Sequence, residues 1–440
     1  MEPLNSTRGE STKGPAPWDT AYEWKAVGLL TIGFGLVGLD RWIIAPLAPS
    51  MVDDLGMSPS DINNLIAALG VTWGIAAIAL GGLSDRIGRR KVLIPAIIVF
   101  SLMSLLSGVA GGFMSLLLIR ALMGVSEGAF CPTSFAATAE ASKPSRRGFN
   151  QGLQQSTFPL FGLGLGPIVA TQLLEEHSDW RFVFLLVALP GLILSVFLIR
   201  VIREPVTVLP TRAAETAAPA KVGLGEIFKH RNVPLGMIAL FCAMCGIFVL
   251  SANTPLYLTE FLKLTPVQMG FVTSAIGFGG FVGQWALPAL SDYFGRRTMA
   301  LIGFFVGALL LFLFIRTGAN IPLLFGLLFA CSVFSFGLLA LITGPVATEA
   351  APIGQISTTA GIIIGSGEIF GGGLALVVAG VVIGAFGIQS MLYLALGGLL
   401  VGGIMMLFLK ETAPRLAKSG HGAESALDRF EDEHPEGIAR

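Results

Sequence analysis

The stretch Gly81-Gly82-Leu83-Ser84-Asp85-Arg86-Ile87-Gly88-Arg89-Arg90 recurs, in altered form, as Ala289-Leu290-Ser291-Asp292-Tyr293-Phe294-Gly295-Arg296-Arg297. The aspartates of the two copies are 207 residues apart in a chain of 440 residues. In each copy a glycine, which permits a tight turn, separates two apolar segments and is followed by paired arginines. The repeat indicates that the chain is built from two related halves.

The composition is typical of a membrane protein. Apolar residues make up 53% and charged residues 13% of the chain, whereas a soluble domain carries about 25% charged residues. The formal net charge is zero, which excludes the strong basicity of a nucleic-acid-binding protein, so we expect no nucleic-acid partner. The four histidines lie in polar segments without ligand spacing and the four cysteines lie in apolar runs, so we expect no metal and no other cofactor.

Twelve apolar stretches are each long enough to cross about 30 Å of hydrocarbon. They begin near Lys25, Asn64, Val92, Phe113, Asn150, Arg181, Val233, Met269, Thr298, Ile321, Ser357 and Met391. Six of them precede a long polar segment and six follow it. The predicted fold is therefore an all-α integral membrane protein with twelve transmembrane helices in two six-helix bundles.

Five segments follow from this division of the chain. We predict an N-terminal tail over residues 1–24, a first bundle over 25–202, a linker over 203–232, a second bundle over 233–409 and a C-terminal tail over 410–440. The first 24 residues contain no apolar core, so we expect no cleavable signal peptide.

Lysine and arginine are distributed unevenly over the predicted loops. With the N-terminus inside, the cytoplasmic segments hold 23 of the 28 Lys and Arg residues and the external loops hold three. This bias follows the positive-inside rule. We expect a multi-pass protein of the cell membrane, in a bacterium the inner membrane, with both termini, the tails and the linker in the cytoplasm.

The repeated motif, Gly-x-Leu-Ser-Asp-Arg-x-Gly-Arg-Arg between helices 2 and 3 with its second copy between helices 8 and 9, resembles the signature of the major facilitator superfamily. The resemblance extends from about Lys25 to Leu409. It implies two bundles that rock around a central cavity, and hence a transporter rather than an enzyme. A membrane enzyme would need an acid–base or metal constellation, which the positions of His and Cys do not supply.

The repeated motif also predicts a gate. Asp85 can approach the positive N-terminal end of helix 11, near Ser357 and Thr358, and Arg89 can pair with Glu140. The second half offers an equivalent set, so the predicted gating residues are Asp85, Arg89, Glu140, Asp292, Arg296 and Glu349. These contacts would hold the cytoplasmic side shut in the outward-open state and must break for inward opening.

Five charged side chains fall at membrane depth, where each costs about 3 kcal/mol or more. They are Asp40 and Arg41 in helix 1, Arg120 and Glu127 in helix 4, and Glu368 in helix 11. One interpretation is mutual neutralisation, of Asp40 by Arg120 and of Glu127 by Arg41, although buried pairs are poor stabilisers.

The other interpretation of these charges is functional. The planar guanidinium group suits a carboxylate, so Arg41 and Arg120 are candidate anchors for an anionic substrate. Asp40 and Glu127 lie beside them and are candidate proton sites. Glu368 lies among glycines in helix 11. Three roles are equally compatible with this position: a third proton site, a substrate contact or a partner for an arginine.

Three segments narrow the resemblance: Gly38-Leu39-Asp40-Arg41, then Arg120-x-x-x-Gly124-x-x-Glu127-Gly128-x-x-x-Pro132, then Lys143-Pro144-x-Arg146-Arg147-Gly148. They resemble the anion:cation symporter branch of the superfamily. The resemblance implies proton-coupled uptake, with protons at Asp40 and Glu127 and the anion near Arg41 and Arg120. Helix 2 departs from it, because relatives often carry Tyr where Trp73 aligns, followed by Gln and Pro that are absent here.

The predicted substrate contacts are Arg41, Arg120, Trp73, Gln154, Asn253 and Tyr257, drawn from a wider polar set that includes Gln151, Gln155, Thr157, Thr254, Gln284 and Trp285. A polyhydroxy acid needs many hydrogen-bonding partners and an aromatic or short aliphatic acid needs few. The composition leans towards the less hydroxylated acid.

The leading hypothesis is proton-coupled symport of a small organic carboxylate: an aromatic, short aliphatic or sugar acid. The expected partners are this anion, protons and the lipid bilayer, and we expect a monomer. The alternative is a proton-driven exporter of hydrophobic compounds or drugs, because Gly162-x-x-x-Gly166-Pro167 in helix 5 resembles the motif of such exporters. Small residues at this spacing are also common where helices pack in lipid.

Overall fold

A computed structural model describes residues 19–143, 147–177, 179–203, 228–350 and 356–412. These residues form twelve long helices, α1 to α12, and no strand. The first half consists of α1 (Thr20–Trp42 and Ile44–Leu55), α2 (Pro59–Ile87), α3 (Arg89–Ser107), α4 (Phe113–Ala141), α5 (Arg147–Pro159, Leu160–Leu165 and Gly166–His177) and α6 (Trp180–Val201). The second half consists of α7 (Asn232–Leu256 and Tyr257–Phe261), α8 (Pro266–Phe294), α9 (Arg296–Arg316), α10 (Ile321–Leu341, Ile342–Val346 and Ala347–Glu349), α11 (Ile356–Ser366, Gly367–Leu374 and Ala375–Phe386) and α12 (Ser390–Met406).

The twelve helices confirm the predicted fold class. Ten of those in the described residues are long and apolar enough to cross a membrane, and α8, with 29 residues, and the shorter α12, with 17, complete the set. Most helices begin up to five residues before the apolar stretch that predicts them, because polar capping residues belong to the first turn. The predicted tails and linker fall for the most part on residues 1–18, 204–227 and 413–440, which lie outside the described residues.

The start of α1 illustrates this difference. The helix begins at Thr20, so Glu23, which the sequence analysis assigns to the tail, lies in its first turn. The Glu23 side chain is fully buried, and its Oε1 accepts hydrogen bonds from the Lys143 backbone N–H and the Asn150 side chain, both at 3.1 Å. A buried carboxylate thus ties the first turn of α1 to the connection between α4 and α5.

The duplication extends to the backbone of the turns. Ser58 caps α2 and Thr265 caps α8, each through a capping box, and these residues are 207 positions apart. The glycines of the two motif copies, Gly88 and Gly295, have φ angles of 102° and 95°. A non-glycine residue would be strained there, which explains why the motif requires glycine in both halves.

Two equivalent contacts join the halves: α5 packs on α8, and α2 packs on α11. At each of them one helix contains a π-helical segment, Leu160–Leu165 in α5 and Gly367–Leu374 in α11. These segments begin 207 residues apart. Such segments often mark functional sites, and here both lie at the boundary between the two halves.

The molecule has two ends, which we name by what they carry. The terminal face carries the start of α1, the end of α12 and the α2–α3 and α8–α9 turns. The opposite face carries the α1–α2 and α7–α8 turns.

Candidate functional site

A central cavity lies between the two halves. It encloses about 760 Å³ of empty space, counting the part open to solvent. Six aromatic side chains line it: Phe34, Trp73, Phe135, Phe158, Phe248 and Phe336. Its polar lining comes from Cys131, Gln155, Gln284, Thr343 and Glu368. Among the described lining residues Glu368 is the only charged one.

The cavity extends towards the terminal face. Phe34, Phe135, Gln155 and Thr343 all belong to the parts of their helices near that face. The opposite face is closed by contacts between the halves. On α2, Asn63 pairs with the Asn253 amide of α7, and the hydroxyl of Ser60 donates to the Gly380 carbonyl of α11 at 2.6 Å.

Arg41 lies behind three residues of the cavity wall, Trp73, Phe248 and Glu368. Its side chain is 1% exposed, and its guanidinium carbon lies 4.5 Å from the centre of the Trp73 ring and 4.9 Å from that of Phe248. Its Nη2 donates to Glu368 Oε2 at 3.0 Å. The Nε and Nη1 groups have no partner in the described residues. Cation–π contacts and one carboxylate therefore hold a guanidinium that keeps free donors.

This ion pair differs from the neutralisation pattern considered in the sequence analysis. Arg41 pairs with Glu368, which is 327 residues away in the other half, and not with Glu127. Arg120 donates to the backbone carbonyl of Asp40 at 2.8 Å and not to the Asp40 carboxylate. The proposed pairs of Asp40 with Arg120 and of Glu127 with Arg41 are thus not formed.

Arg120 is fully buried inside the first half and is not among the residues that line the cavity. Its guanidinium contacts the Asp40 carbonyl, Met123 Sδ at 3.6 Å and the ring of Phe184 on α6, at 5.4 Å. The sequence analysis placed Arg41 and Arg120 together as substrate anchors. Neither arginine lines the cavity. Arg41 lies directly behind the lining residues Trp73, Phe248 and Glu368, whereas α4 directs Arg120 towards α1 and α6.

The two predicted proton sites are buried beside the cavity. Asp40 is 2% exposed and Glu127 is fully buried, and neither Glu127 oxygen accepts a hydrogen bond from the described residues. Glu127 lies within electrostatic range of Arg41, Glu368, Asp40 and Arg120. Glu127 is thus within electrostatic range of all four other charged residues predicted at membrane depth.

Glu127 is held by tight packing of α4 on α2. Cβ atoms added at the flanking residues Gly124 and Gly128 would overlap the backbone carbonyls of Leu69 and Trp73. Only glycine at both positions permits this approach. The helix 4 motif thus places Glu127 next to the part of α2 that carries Trp73.

The four remaining predicted substrate contacts have different positions. Trp73 lines the cavity. Gln154 is fully buried and donates to Ser134 at 3.0 Å, while its neighbour Gln155 faces the cavity.

Asn253 and Tyr257 do not line the cavity. Asn253 is in the amide pair with Asn63 at the opposite face. Tyr257 is 1% exposed and stacks on Phe261, with ring centres 5.4 Å apart. Both residues lie near the end of α7, close to the closed face, and the structure does not bring them to the cavity.

The predicted gating residues form ion pairs within each half, at the face towards which the cavity extends. These pairs therefore do not join the two halves, and they do not have to break for this face to open, contrary to the expectation from the sequence. Arg89 donates to Glu140 at 2.9 Å, which ties α3 to α4. Arg296 contacts Glu349 at 2.9 Å and Asp292 at 2.6 Å, which ties α9 to α10 and α8. The side chain of Asp85 and those of Ser357 and Thr358 lie outside the described residues, so the predicted contact between Asp85 and helix 11 remains a prediction.

The exporter-like motif of α5 has a packing role. A Cβ atom at Gly162 would overlap the backbone carbonyl of Gly38 on α1, and Gly164 lies against the backbone of Gly277 on α8. These glycines allow α5 to contact both halves closely at its π-helical segment.

Residues 30–364 of the chain, and again residues 236–431, match the family model described as Major Facilitator Superfamily. The chain belongs to the major facilitator superfamily. This confirms the resemblance drawn from the repeated motif. The solved structure of a bacterial homolog of the human lysosomal transporter Spinster, in an inward-facing and unoccupied conformation, covers 93% of the chain with a TM-score of 0.74 at 16% identity. At that identity the similarity shows the fold alone.

Curated relatives within the superfamily are named as transporters. The hexuronate transporter of Bacillus subtilis is 30% identical over 264 residues, which are 59% of this chain and 62% of the relative. The probable 4-methylmuconolactone transporter of Cupriavidus pinatubonensis is 27% identical over 78% of this chain and 79% of its own length. The multidrug resistance protein MdtG of Klebsiella pneumoniae is 27% identical over 67% of this chain and 72% of its own length. The chain is a transporter and not an enzyme.

Sequence analysis missed most of the cavity wall. Phe34 lies seven residues before Arg41 and therefore on the same face of α1, so the spacing carried a usable signal. Phe135, Phe158 and Phe248 carried none, because the sequence does not show which face of α4, α5 or α7 points inward. The Asn63–Asn253 pair was not predicted for the same reason.

Proposed function

We propose that this transporter takes up a small organic carboxylate together with protons by alternating access. The observation that carries the proposal is the position of Arg41, a buried cation with free donors directly behind Trp73, Phe248 and Glu368, which line the cavity between the two halves. A carboxylate is the ligand that matches a guanidinium group in charge and geometry.

The cavity wall favours an acid with an aromatic or otherwise apolar skeleton. Six aromatic rings face it, and apart from Glu368 its described polar lining is two amides, a hydroxyl and a thiol. Gln284 has a side-chain oxygen without a partner in the described residues, so it can accept a hydrogen bond from a hydroxyl group of a substrate. A sugar acid would leave most of its hydroxyl groups against aromatic surface, which is unfavourable.

The relatives support an acidic substrate. Their printed names include hexuronate, 4-methylmuconolactone and, for a Pseudomonas putida protein 31% identical over 46% of the chain, gallate. We propose that protons are carried at Asp40 and Glu127, two buried carboxylates beside the cavity. We also propose that the terminal face is the cytoplasmic face of a bacterial inner membrane, in agreement with the Lys and Arg bias, and that the cavity is therefore open inward.

The test is transport by the purified protein in proteoliposomes. Benzoate, butyrate and glucuronate represent the aromatic, short aliphatic and sugar acids. We expect counterflow of at least one acid, strongest for benzoate, and accumulation when the outside is acidic. Losing a charge-assisted bidentate contact costs about 1.5–3 kcal/mol, so Arg41→Ala should weaken binding by about 10- to 150-fold.

Arg316→Ala is the matched control. Arg316 is exposed at the end of α9 and does not line the cavity, and its replacement removes the same charge. It should leave affinity unchanged. If Arg41→Ala binds the acids as well as the parent while Arg316→Ala behaves like the parent, Arg41 is not the anchor.

The alternative is export of hydrophobic compounds. The apolar cavity wall and the similarity to the multidrug resistance protein favour it. A lipophilic cation tested in the same vesicles separates the two functions. If the protein transports the cation and binds none of the three acids, export of hydrophobic compounds replaces carboxylate uptake as the function.

A further inference from the structure

The contact between Arg41 and Glu368 is a bond between the two halves of the transporter. Arg41 belongs to α1 and Glu368 to α11, and the Nη2–Oε2 distance is 3.0 Å. A rocking motion that opens the opposite face separates these halves. The pair must therefore break, or find new partners, in each transport cycle.

The two helices that flank the pair are shaped around it. A Cβ atom at Gly70 of α2 would lie 2.7 Å from the Gly372 carbonyl of α11 and 3.2 Å from Arg41 Nη2. A Cβ atom at Gly372 would lie 2.8 Å from Glu368 Oε2. Glycine at both positions leaves a slot between α2 and α11 that the guanidinium and carboxylate fill.

Glu368 joins this slot to the cavity, and among the described residues that line the cavity it is the one charged side chain. Its side chain is 13% exposed and lines the cavity, whereas the Arg41 side chain is fully buried behind it. Glu368 also lies in the π-helical segment of α11, where the backbone departs from regular helix. A substrate carboxylate that enters the cavity therefore meets Glu368 before it can reach Arg41.

We propose that Glu368 is the internal competitor of the substrate carboxylate: ionised, it occupies Arg41, and protonated, it releases Arg41 to the entering anion. The proposal rests on the carboxylate uptake proposed above and adds a third, directly coupled proton site. One proton and one carboxylate enter together, so the charge at Arg41 stays compensated. On release to the other side the proton leaves Glu368, the ion pair forms again, and no covalent bond is made or broken.

The groups that face this exchange are few. Arg41 approaches Glu368 from α1, while Glu127 and Cys131 lie within electrostatic range on α4. Helices α2 and α7 contribute the rings of Trp73 and Phe248. Thermodynamic linkage makes the coupling reciprocal: if protonation of Glu368 strengthens anion binding, anion binding strengthens protonation by the same factor.

Binding measured as a function of pH tests the exchange. For the parent we expect the Kd of the best-bound acid among benzoate, butyrate and glucuronate to rise with pH, by up to tenfold per pH unit while Glu368 deprotonates. Glu368→Gln imitates the protonated form, so its Kd should be as low as that of the parent at acid pH and should depend less on pH. Counterflow should remain, and accumulation driven by a pH gradient should fall.

The control is Glu260→Gln, which removes an exposed carboxylate at the end of α7 on the opposite face. It should keep the pH dependence and the accumulation of the parent. Glu368→Gln with the same pH dependence and full accumulation would overturn the exchange while leaving carboxylate uptake intact. Absence of binding of all three acids to the parent would overturn the uptake itself.

A second measurement needs no substrate. Ser60→Cys, introduced into the parent and into Glu368→Gln, reports opening of the opposite face through its reaction with a membrane-impermeant maleimide. Loss of the ion pair between the halves should raise the labelling rate in the Glu368→Gln background. An unchanged rate in a correctly folded variant would show that the pair does not hold the halves together.

Discussion

The side-chain amides of Asn63 and Asn253 exchange two hydrogen bonds, of 2.7 and 2.9 Å, across the boundary between the two halves. Both residues are fully buried. Asn63 also donates to the Pro59 carbonyl, and Asn253 donates to the Val249 carbonyl. Each amide is thus fixed within its own helix and paired with the other helix, which makes the pair a specific closure of the opposite face.

Replacing one of these amides should favour opening of the opposite face. Asn253→Leu leaves the Asn63 amide buried without its partner in the closed conformation, at a cost of about 1–3 kcal/mol. We expect the ratio of closed to open forms to fall by about 5- to 150-fold, measured by labelling of Ser60→Cys. Thr254→Val is the control, because Thr254 bonds only within α7. Equal labelling in the Asn253→Leu variant and the parent would contradict the closure.

A second prediction concerns the glycine contact between α5 and α8. A Cβ atom at Gly277 would overlap the Gly164 backbone nitrogen, and two backbones cannot yield as a side chain can. Gly277→Ala should therefore disfavour the conformation described here and increase labelling from the opposite face. The control is Gly326→Ala on α10, where the added methyl group meets nothing within 4 Å. If the Gly277→Ala variant transports substrate and is labelled at the same rates as the parent, the contact between α5 and α8 is not required.

A third prediction separates the two buried arginines. Arg120 contacts α1 and α6 and does not line the cavity. Arg120→Met should lower thermal stability, because removing one member of a buried charge cluster costs about 3–5 kcal/mol. Protein that remains folded should bind the acids within a few-fold of the parent, in contrast to Arg41→Ala. Loss of binding without loss of stability would restore Arg120 as an anchor.

A fourth prediction uses the duplication. Lys263 is the one non-glycine residue with positive φ in the described part of the chain, at 56°, and its counterpart 207 residues earlier is Gly56, with φ 61°. A left-handed conformation costs a non-glycine residue about 1–2 kcal/mol. Lys263→Gly should leave thermal stability equal or higher, and Gly56→Ala should lower it. A clear decrease for Lys263→Gly would show that its side chain contributes more than the backbone strain costs.

The sequence by itself determined the architecture. Twelve apolar segments follow from the demand that lipid makes on every segment separately. The duplicated motif and the uneven distribution of Lys and Arg are likewise properties of the chain and can be seen before it is packed. The same demand identified the charged residues of the site: Asp40, Arg41, Arg120, Glu127 and Glu368 stand out because charge is rare at membrane depth.

Only the tertiary structure decided what these charges do to one another. Helical periodicity tells which residues share a face, but not how a helix is rotated relative to its neighbours. For that reason the sequence did not show that Arg41 packs against the residues of the cavity wall and Arg120 does not, or that Gln155 lines the wall and Gln154 is buried. The partner of Arg41 is 327 residues away on a helix of the other half, and such a contact exists only once the two halves are packed together.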